Sequence, residues 1–443
     1  MLIRGIALLI FLMCTACALQ TQRTSSSNSA TIESLEQLSI ASLRNRSYGS
    51  ELVLLNRESR RDYPSYLASY ESDGLRLYTR IDVPRKLPPK TGYPVVVFVH
   101  GYRGIETAAS LDFYYEEDSY YYQLIEAYVA AGFVVMTPGL RGHGTVNNVP
   151  ADGLEFLAAW DGGSYLCPIF YAVDVLNLLE SLSSFDKAPL DQKRINLMGH
   201  SQGGDTVLTV LAVVGEDSTV NTQINGASIW SGTFAPRIEQ LMSYHPMQTS
   251  AEAFLSGDGT WNGTAKSDDG RINKHFVFGY PPEWIEDPRP ENWTWQKDTW
   301  RKTFREAAQS KLDDMYDSIN EHVADLTDAT FNLRSSVDIQ HDPRLLRAFE
   351  QIDAIRYPHL LTEPLVLQYS DRDFYSPPSW NIDLCQTLVS AGNLCEHHLY
   401  PQNTHLLGVS QYQWFSDQDA QPGFEIAIQR DVQFFSATQQ TKN

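Results

Sequence analysis

One serine in the chain stands where a nucleophile is needed: Gly199-His200-Ser201-Gln202-Gly203. The apolar run Ile195–Met198 leads into it, and an apolar helical pattern follows at Val207, Leu208, Val210, Leu211 and Val214. Strand, tight turn and helix together lift a serine hydroxyl to the apex of a strained turn. Glycine at 199 and 203 lets strand and helix pass close to the serine backbone without a Cβ clash. A hydroxyl is a weak nucleophile at neutral pH and needs a base within hydrogen-bond reach. That base needs an acid to fix its tautomer and stabilise its cation. Asp371 and Asp373 follow the apolar strand Leu365–Tyr369, and a loop carrying His405 follows Leu399-Tyr400. His405 is the candidate base, and either aspartate can serve as the acid. Together they would direct Ser201 at an acyl carbonyl.

Such attack needs two preorganised N–H donors for the developing oxyanion, each commonly worth about 2.7–4 kcal/mol. The backbone N–H of Gln202, directly after the serine, is one candidate. Tyr102, just past His100-Gly101 at the end of the apolar run Val95–Val99, is the other. His100, Arg141 and His143 read as loop braces, Asp174 as a helix residue near the sheet, and His397 and His398 as structural. No HExxH, cysteine cluster, Walker loop or GxGxxG is present, so the sequence calls for no metal and no cofactor.

The elements that must position these residues follow a clear rhythm. Tyr66–Tyr70 and Leu75–Val83 form two strands about Ser72-Asp73-Gly74, where Asp-Gly is a hairpin signal. Val95–Val99 has the continuous apolar character of a strand buried on both faces. Helix Tyr120–Ala131, strand Phe133–Met136, helix Tyr171–Leu182, strand Ile195–Met198 and strand Ala227–Trp230 come next. Strands alternating with helices predict an α/β fold built on a doubly wound, mostly parallel sheet. The rhythm breaks over residues 234–349, where turn-rich segments carry Trp261, Trp284, Trp293, Trp295 and Trp300 ahead of a helical pattern. These residues read as an inserted, mainly helical lid whose tryptophans either line a pocket or form the lid's own core. The sheet resumes over 350–443, with a helix from Asn381 to Ala391 and a closing helix from Phe424 to Phe435. Before the sheet, one helix is expected over Ile32–Arg44.

The chain of 443 residues carries a formal net charge of −20. That charge argues against nucleic acid or an anionic membrane surface as partner, since phosphate binding is led by Lys and Arg. Residues 1–17 read as an export signal: Arg4, then the short apolar run Ile6–Met13, then Thr15-Ala16 before Cys17. The pattern resembles a bacterial lipoprotein signal in which Cys17 is lipidated, with an ordinary secretory signal as the alternative. Residues 18–30 form a Ser/Thr-rich tether. Localisation is then the bacterial envelope or the exterior, and membrane contact comes only through the lipid anchor.

Export permits disulfides. If the chain turns back at Gly392, Cys385 lies seven helical residues before the turn and Cys395 three extended residues after it. Both distances are about 10 Å, so the sulfurs are level and a Cys385–Cys395 bridge is expected. Cys167 would then be a buried thiol; two separate thiols at 385 and 395 are the alternative.

With these residues in place, the chain resembles the α/β-hydrolases, and within them the catalytic domain of the prolyl oligopeptidase family and its esterase relatives. The resemblance rests on Ser72-Asp73-Gly74, Tyr93-Pro94 with Val95–Gly101, Arg141-Gly142-His143-Gly144, Gly199–Gly204, Pro364–Pro377 and Tyr400-Pro401 with His405. It spans about residues 65–235 and 350–435. It implies a Ser201–Asp373–His405 triad, because the acid and then the histidine follow the serine, and because Asp373 precedes Pro377 by the family spacing. It implies a serine peptidase or carboxylesterase acting on a small ester or peptide. Two departures weigh on specificity: no peptide-filtering β-propeller fits between tether and sheet, and Tyr369-Ser370 replaces the His-Gly usual before the catalytic aspartate. A non-catalytic binding scaffold is the reading from another class.

Overall fold

Strand β4 (Tyr93–Val99) is buried along its whole length. Its side chains divide between two apolar clusters, Val95, Val97 and Val99 in one and Val96 and Phe98 in the other. A strand of period two that is buried on both faces must have helices on both sides. The computed structural model describes residues 34–58, 61–103, 108–113, 120–156, 167–244, 317, 319–327, 329–333, 338, 341–370, 373, 376, 378–401, 405–407 and 423–437. The signal, the tether, Cys17, Asp371, the five lid tryptophans and the side chain of Cys167 lie outside them.

Among the described residues nine strands make one sheet, in the order β1 (Val53–Glu58), β2 (Ser65–Ser72), β3 (Leu75–Asp82), β5 (Val134–Pro138), β4, β8 (Leu190–His200), β9 (Ile224–Trp230), β10 (Leu365–Ser370) and β11 (Cys395–Tyr400). A small pair, β6 (Thr145–Val146) and β7 (Val149–Pro150), stands apart. The first three strands of the sheet pair antiparallel, and the strands from β5 to β11 run parallel. The β2–β3 turn places Asp73 at φ 53° and Gly74 at φ 76°, the left-handed pair a two-residue hairpin requires.

One face of the sheet is covered by α1 (Ile40–Arg44), α3 (Cys167–Ser181), α4 (Gln202–Val213) and α7 (Pro378–Ser390). The other is covered by α2 (Tyr120–Ala131) and α8 (Gly423–Ala437). Within the stretch read as a lid, the described residues carry helices, among them α5 (Arg237–Tyr244) and the start of α6 (Pro343–Glu350), and no strand. Ile319, Val323, Phe331, Leu345 and Phe349 are buried in the same cluster as α4.

The N-terminal region differs from expectation. A 3₁₀ turn, Leu35–Leu38, is separated from α1 by Ser39, whose extended backbone breaks the helix and whose hydroxyl accepts from the Ser42 N–H at 3.2 Å. The serine caps the second piece instead of continuing the first. Arg44, the last residue of α1, donates from Nη1 to the carbonyls of Ala212, Val213 and Val214 at 3.0, 3.2 and 2.9 Å. These are carbonyls at the C-terminus of α4, where a helix leaves acceptors unpaired and favours a cation. Cys385 in α7 is bonded to Cys395, the first residue of β11, and Gly392 at φ 87° makes the turn between them.

Candidate active site

Ser201 joins β8 to α4 at φ 56°, ψ −124°, a conformation that costs a non-glycine residue about 1–3 kcal/mol. Three backbone hydrogen bonds hold it there. Its N–H donates to the Trp230 carbonyl at 3.0 Å, and its carbonyl accepts from Gly204 at 2.8 Å and Thr233 at 3.1 Å. The flanking glycines are required by space: a Cβ on Gly199 would strike the Gly203 carbonyl, and one on Gly203 would strike the carbonyls of Val99 and His100.

Asp373 follows β10 and His405 follows β11, so serine, aspartate and histidine all come from C-terminal strand ends, where sites in open α/β sheets gather. The Nδ1–H of His405 faces the Asp373 carboxylate with both oxygens at 2.9 Å. That carboxylate is buried, and its Oδ1 also accepts from the Ser376 N–H at 3.0 Å. The Ser376 hydroxyl donates to the Gly232 carbonyl at 2.5 Å and accepts from Asn381 at 3.3 Å, tying the acid's loop to the turn after β9.

The loop after β4 closes the group. A Cβ on Gly101 would lie 3.0 Å from the Cβ of Ser201, so this loop runs directly beside the serine. Tyr102 is the next residue, with its ring exposed. Gln202 is the first residue of α4, among the N–H groups a helix cannot pair itself.

The neighbouring histidines and arginine are bound into the scaffold. His100 Nδ1 lies 2.7 Å from the Gly101 carbonyl and its ring packs on His143 at 5.0 Å; burial holds it well below the usual histidine range. Burial likewise pushes His143 down to about 4. Arg141 is clasped by Asp174, with contacts from 2.7 to 3.2 Å, and reaches Asp73 at 3.1 Å. His397 bonds Tyr369 through Nδ1 at 2.9 Å. Among the described residues no group of three or more His, Cys, Asp or Glu side chains could hold a metal ion.

Three groupings around the site went unread in the sequence. Tyr121 and His200 bond each other at 2.7 Å, although position 200 in the serine motif carries no pattern to mark it. Asp205, Arg237 and Asp353 form a buried ionic cluster behind α4. Asp431 in α8 accepts from Tyr128 at 2.5 Å, Trp230 at 2.8 Å and Gln368 at 2.5 Å. Burial, working against those donors, pushes Asp431 up to about 7.

No curated protein matches the sequence. Solved structures with a similar course of chain include acetyl xylan esterase 1 from Thermoanaerobacterium sp., 14% identical, with 90% of this chain and 93% of that one covered and a TM-score of 0.48. They include an acylaminoacyl peptidase of Pyrococcus horikoshii, 12% identical, covering 89% and 50%, with a TM-score of 0.46. A dipeptidyl peptidase 4 of Porphyromonas gingivalis is 14% identical, covering 85% and 36%, with a TM-score of 0.44. The sequence model of the alpha/beta hydrolase family matches residues 96–418, a span that runs from β4 through the serine turn, Asp373 and His405. With most of the chain matched, and the sheet order and strained serine turn already in place, this protein belongs to the alpha/beta hydrolase family.

Proposed function

We propose that the protein is an exported serine hydrolase that cleaves an acyl bond, ester or peptide-like amide, through a covalent acyl-enzyme. The observation that supports it most is the buried Asp373 carboxylate receiving His405 Nδ1–H from a loop beside the strained Ser201 turn. With Nδ1 committed to Asp373, Nε2 is the nitrogen left to act as base. His405 takes the Ser201 proton as Oγ attacks the acyl carbon, and Asp373 stabilises the imidazolium. The imidazolium then protonates the leaving alcohol or amine, and water, activated by the same histidine, releases the acid. Backbone N–H groups of Gln202 and Tyr102 hold the oxyanion. The Gly101 N–H is already donated to the Tyr121 hydroxyl at 2.9 Å, which favours Tyr102, the next residue, as the loop's donor.

In this reading residues 234–349 shape the pocket as a lid, and Cys17 carries the lipid that anchors the mature chain to the envelope. A panel of p-nitrophenyl esters of rising acyl length beside aminoacyl and prolyl p-nitroanilides, with Ser201→Ala as blank, tests the chemistry. Ester turnover alone makes the enzyme a carboxylesterase; anilide turnover lost in Ser201→Ala makes it a peptidase. No turnover, with no uptake of a fluorophosphonate by Ser201, would leave a binding scaffold. Loss of membrane fractionation in Cys17→Ala tests the anchor.

A further inference from the structure

We infer that Tyr121 and His200 are positioning residues: a directed chain of three hydrogen bonds through them couples the loop beside the oxyanion site to the loop that carries His405. The inference rests on the hydrolase reading above and names residues that act through the triad without touching substrate.

Both ends of the chain are backbone groups, so its direction is fixed. The Gly101 N–H can only donate, and it meets the Tyr121 oxygen at 2.9 Å. The His405 carbonyl can only accept, and it lies 3.2 Å from His200 Nε2. His200 therefore carries its proton on Nε2, which leaves Nδ1 as an acceptor for the Tyr121 hydroxyl at 2.7 Å. Every donor along the path has an acceptor, and no other tautomer satisfies both ends.

The site leaves little room for rearrangement. A Cβ on Gly101 would lie 3.0 Å from the Tyr121 oxygen, 3.1 Å from His200 Nδ1 and 3.0 Å from the Ser201 Cβ. The His200 ring packs against Tyr120, Tyr121 and His405, at 5.6, 5.6 and 4.8 Å between centroids. Burial and the neighbouring His405 hold His200 well below the usual histidine range, and burial pushes Tyr121 up to about 12. Neither group changes charge near neutral pH, so the chain stays in place while His405 gains and loses its proton. Ser201 is bonded to His200 in sequence, the backbone carbonyl of the base is hydrogen-bonded to it, and the oxyanion loop reaches it through the Tyr121 hydroxyl. One imidazole thus sets the spacing of nucleophile, oxyanion donors and base.

Two substitutions at 200 separate the ends of the chain. The amide of His200→Gln reaches the place of Nε2 and keeps the donor to His405; that of His200→Asn reaches only the place of Nδ1 and keeps the partner for Tyr121. Displacing reacting groups by an ångström costs on the order of 10²-fold in rate, so Tyr121→Phe and His200→Asn should each lower kcat about 10- to 100-fold with KM within about threefold. His200→Gln, which keeps the bond to His405 and loses only the one to Tyr121, should match Tyr121→Phe. The double variant Tyr121→Phe/His200→Asn should be no worse than the poorer single one, because both cut the same chain. Wild-type kcat in Tyr121→Phe, wild-type kcat in His200→Gln, or additive losses in the double variant would overturn the coupling while leaving the hydrolase reading intact.

A readout independent of turnover covers the case in which that reading fails. In ¹⁵N-histidine spectra at neutral pH His200 should show a protonated Nε2 and a bare Nδ1, with the Nδ1 signal moving in Tyr121→Phe. A protonated Nδ1 would refute the chain.

Discussion

The backbone N–H of Arg237 donates to both carboxylate oxygens of Asp353, at 3.1 Å each, although 116 residues separate them. The Arg237 guanidinium also meets Asp205 at 2.5 and 2.8 Å, and Asp205 lies one helical turn past Ser201 in α4. The two ends of the long stretch between β9 and β10 are therefore clamped to each other and to the helix behind the serine.

Arg237→Ala would leave two carboxylates buried with no guanidinium between them. Breaking such a cluster costs about 3–5 kcal/mol, so urea unfolding should show a loss of that order. Asp353→Asn should cost much less, since burial already pushes Asp353 up to about 7 and the neutral form is close at hand. Equal losses from the two variants would show that charge pairing does not hold the clamp.

Asp373→Asn keeps the shape of the acid but spoils its hold on the His405 tautomer. A fall in kcat of about 10³- to 10⁴-fold, with KM little changed, is expected on the assay that wild type turns over best. Asp371→Asn should stay within about threefold of wild type, since the effect of that triad member should be absent. Reversal of the two would move the acid to position 371.

The strain at Ser201 should be measurable. Ser201→Gly removes the Cβ at φ 56° and should raise the melting temperature above that of Ser201→Ala, by an amount reflecting part of about 1–3 kcal/mol. Turnover is lost in both. A glycine variant less stable than the alanine one would mean that the three backbone bonds relieve the strain in full.

Asp431 gives stability a pH dependence of unusual sign. Its folded pKa of about 7 lies above the carboxylate's ordinary 3.8, so between these values the folded chain keeps a proton that the unfolded chain has lost. Its stabilising contribution is present below pH 4 and is lost as pH rises towards 7. Buried neutral His143 acts the other way, losing stability as pH falls from 6.5 towards 4, so the informative quantity is a difference between proteins. Wild type should lose more stability between pH 5 and pH 7.5 than Asp431→Asn does, as read from urea midpoints. Parallel curves would assign Asp431 an ordinary pKa.

Much of this was legible from residue types alone. The apolar period of helix Tyr120–Ala131 and the Gly132 that stops it are both local signals. The apolar strands β4, β8 and β10, and the serine turn, declared themselves by composition. Strand β1 did not: it is an edge strand with half its residues exposed, and Asn56-Arg57-Glu58 carry no buried pattern. The helix expected over 32–44 missed the break at Ser39, where a capping hydroxyl outcompetes helical continuation. Position after β11 points to His405, and position after β10 to Asp371 or Asp373, the family resemblance alone favouring Asp373, whereas Tyr121, Asp353 and Asp431 find their partners only once distant elements pack.

Arg44 carries a practical consequence for anyone shortening the gene. A truncation begun at residue 50, just ahead of the first strand, looks harmless on a topology diagram and would discard the guanidinium that closes the far end of the Ser201 helix. A shortened chain should therefore start before Ser34, so that this N-terminal brace travels with the catalytic sheet.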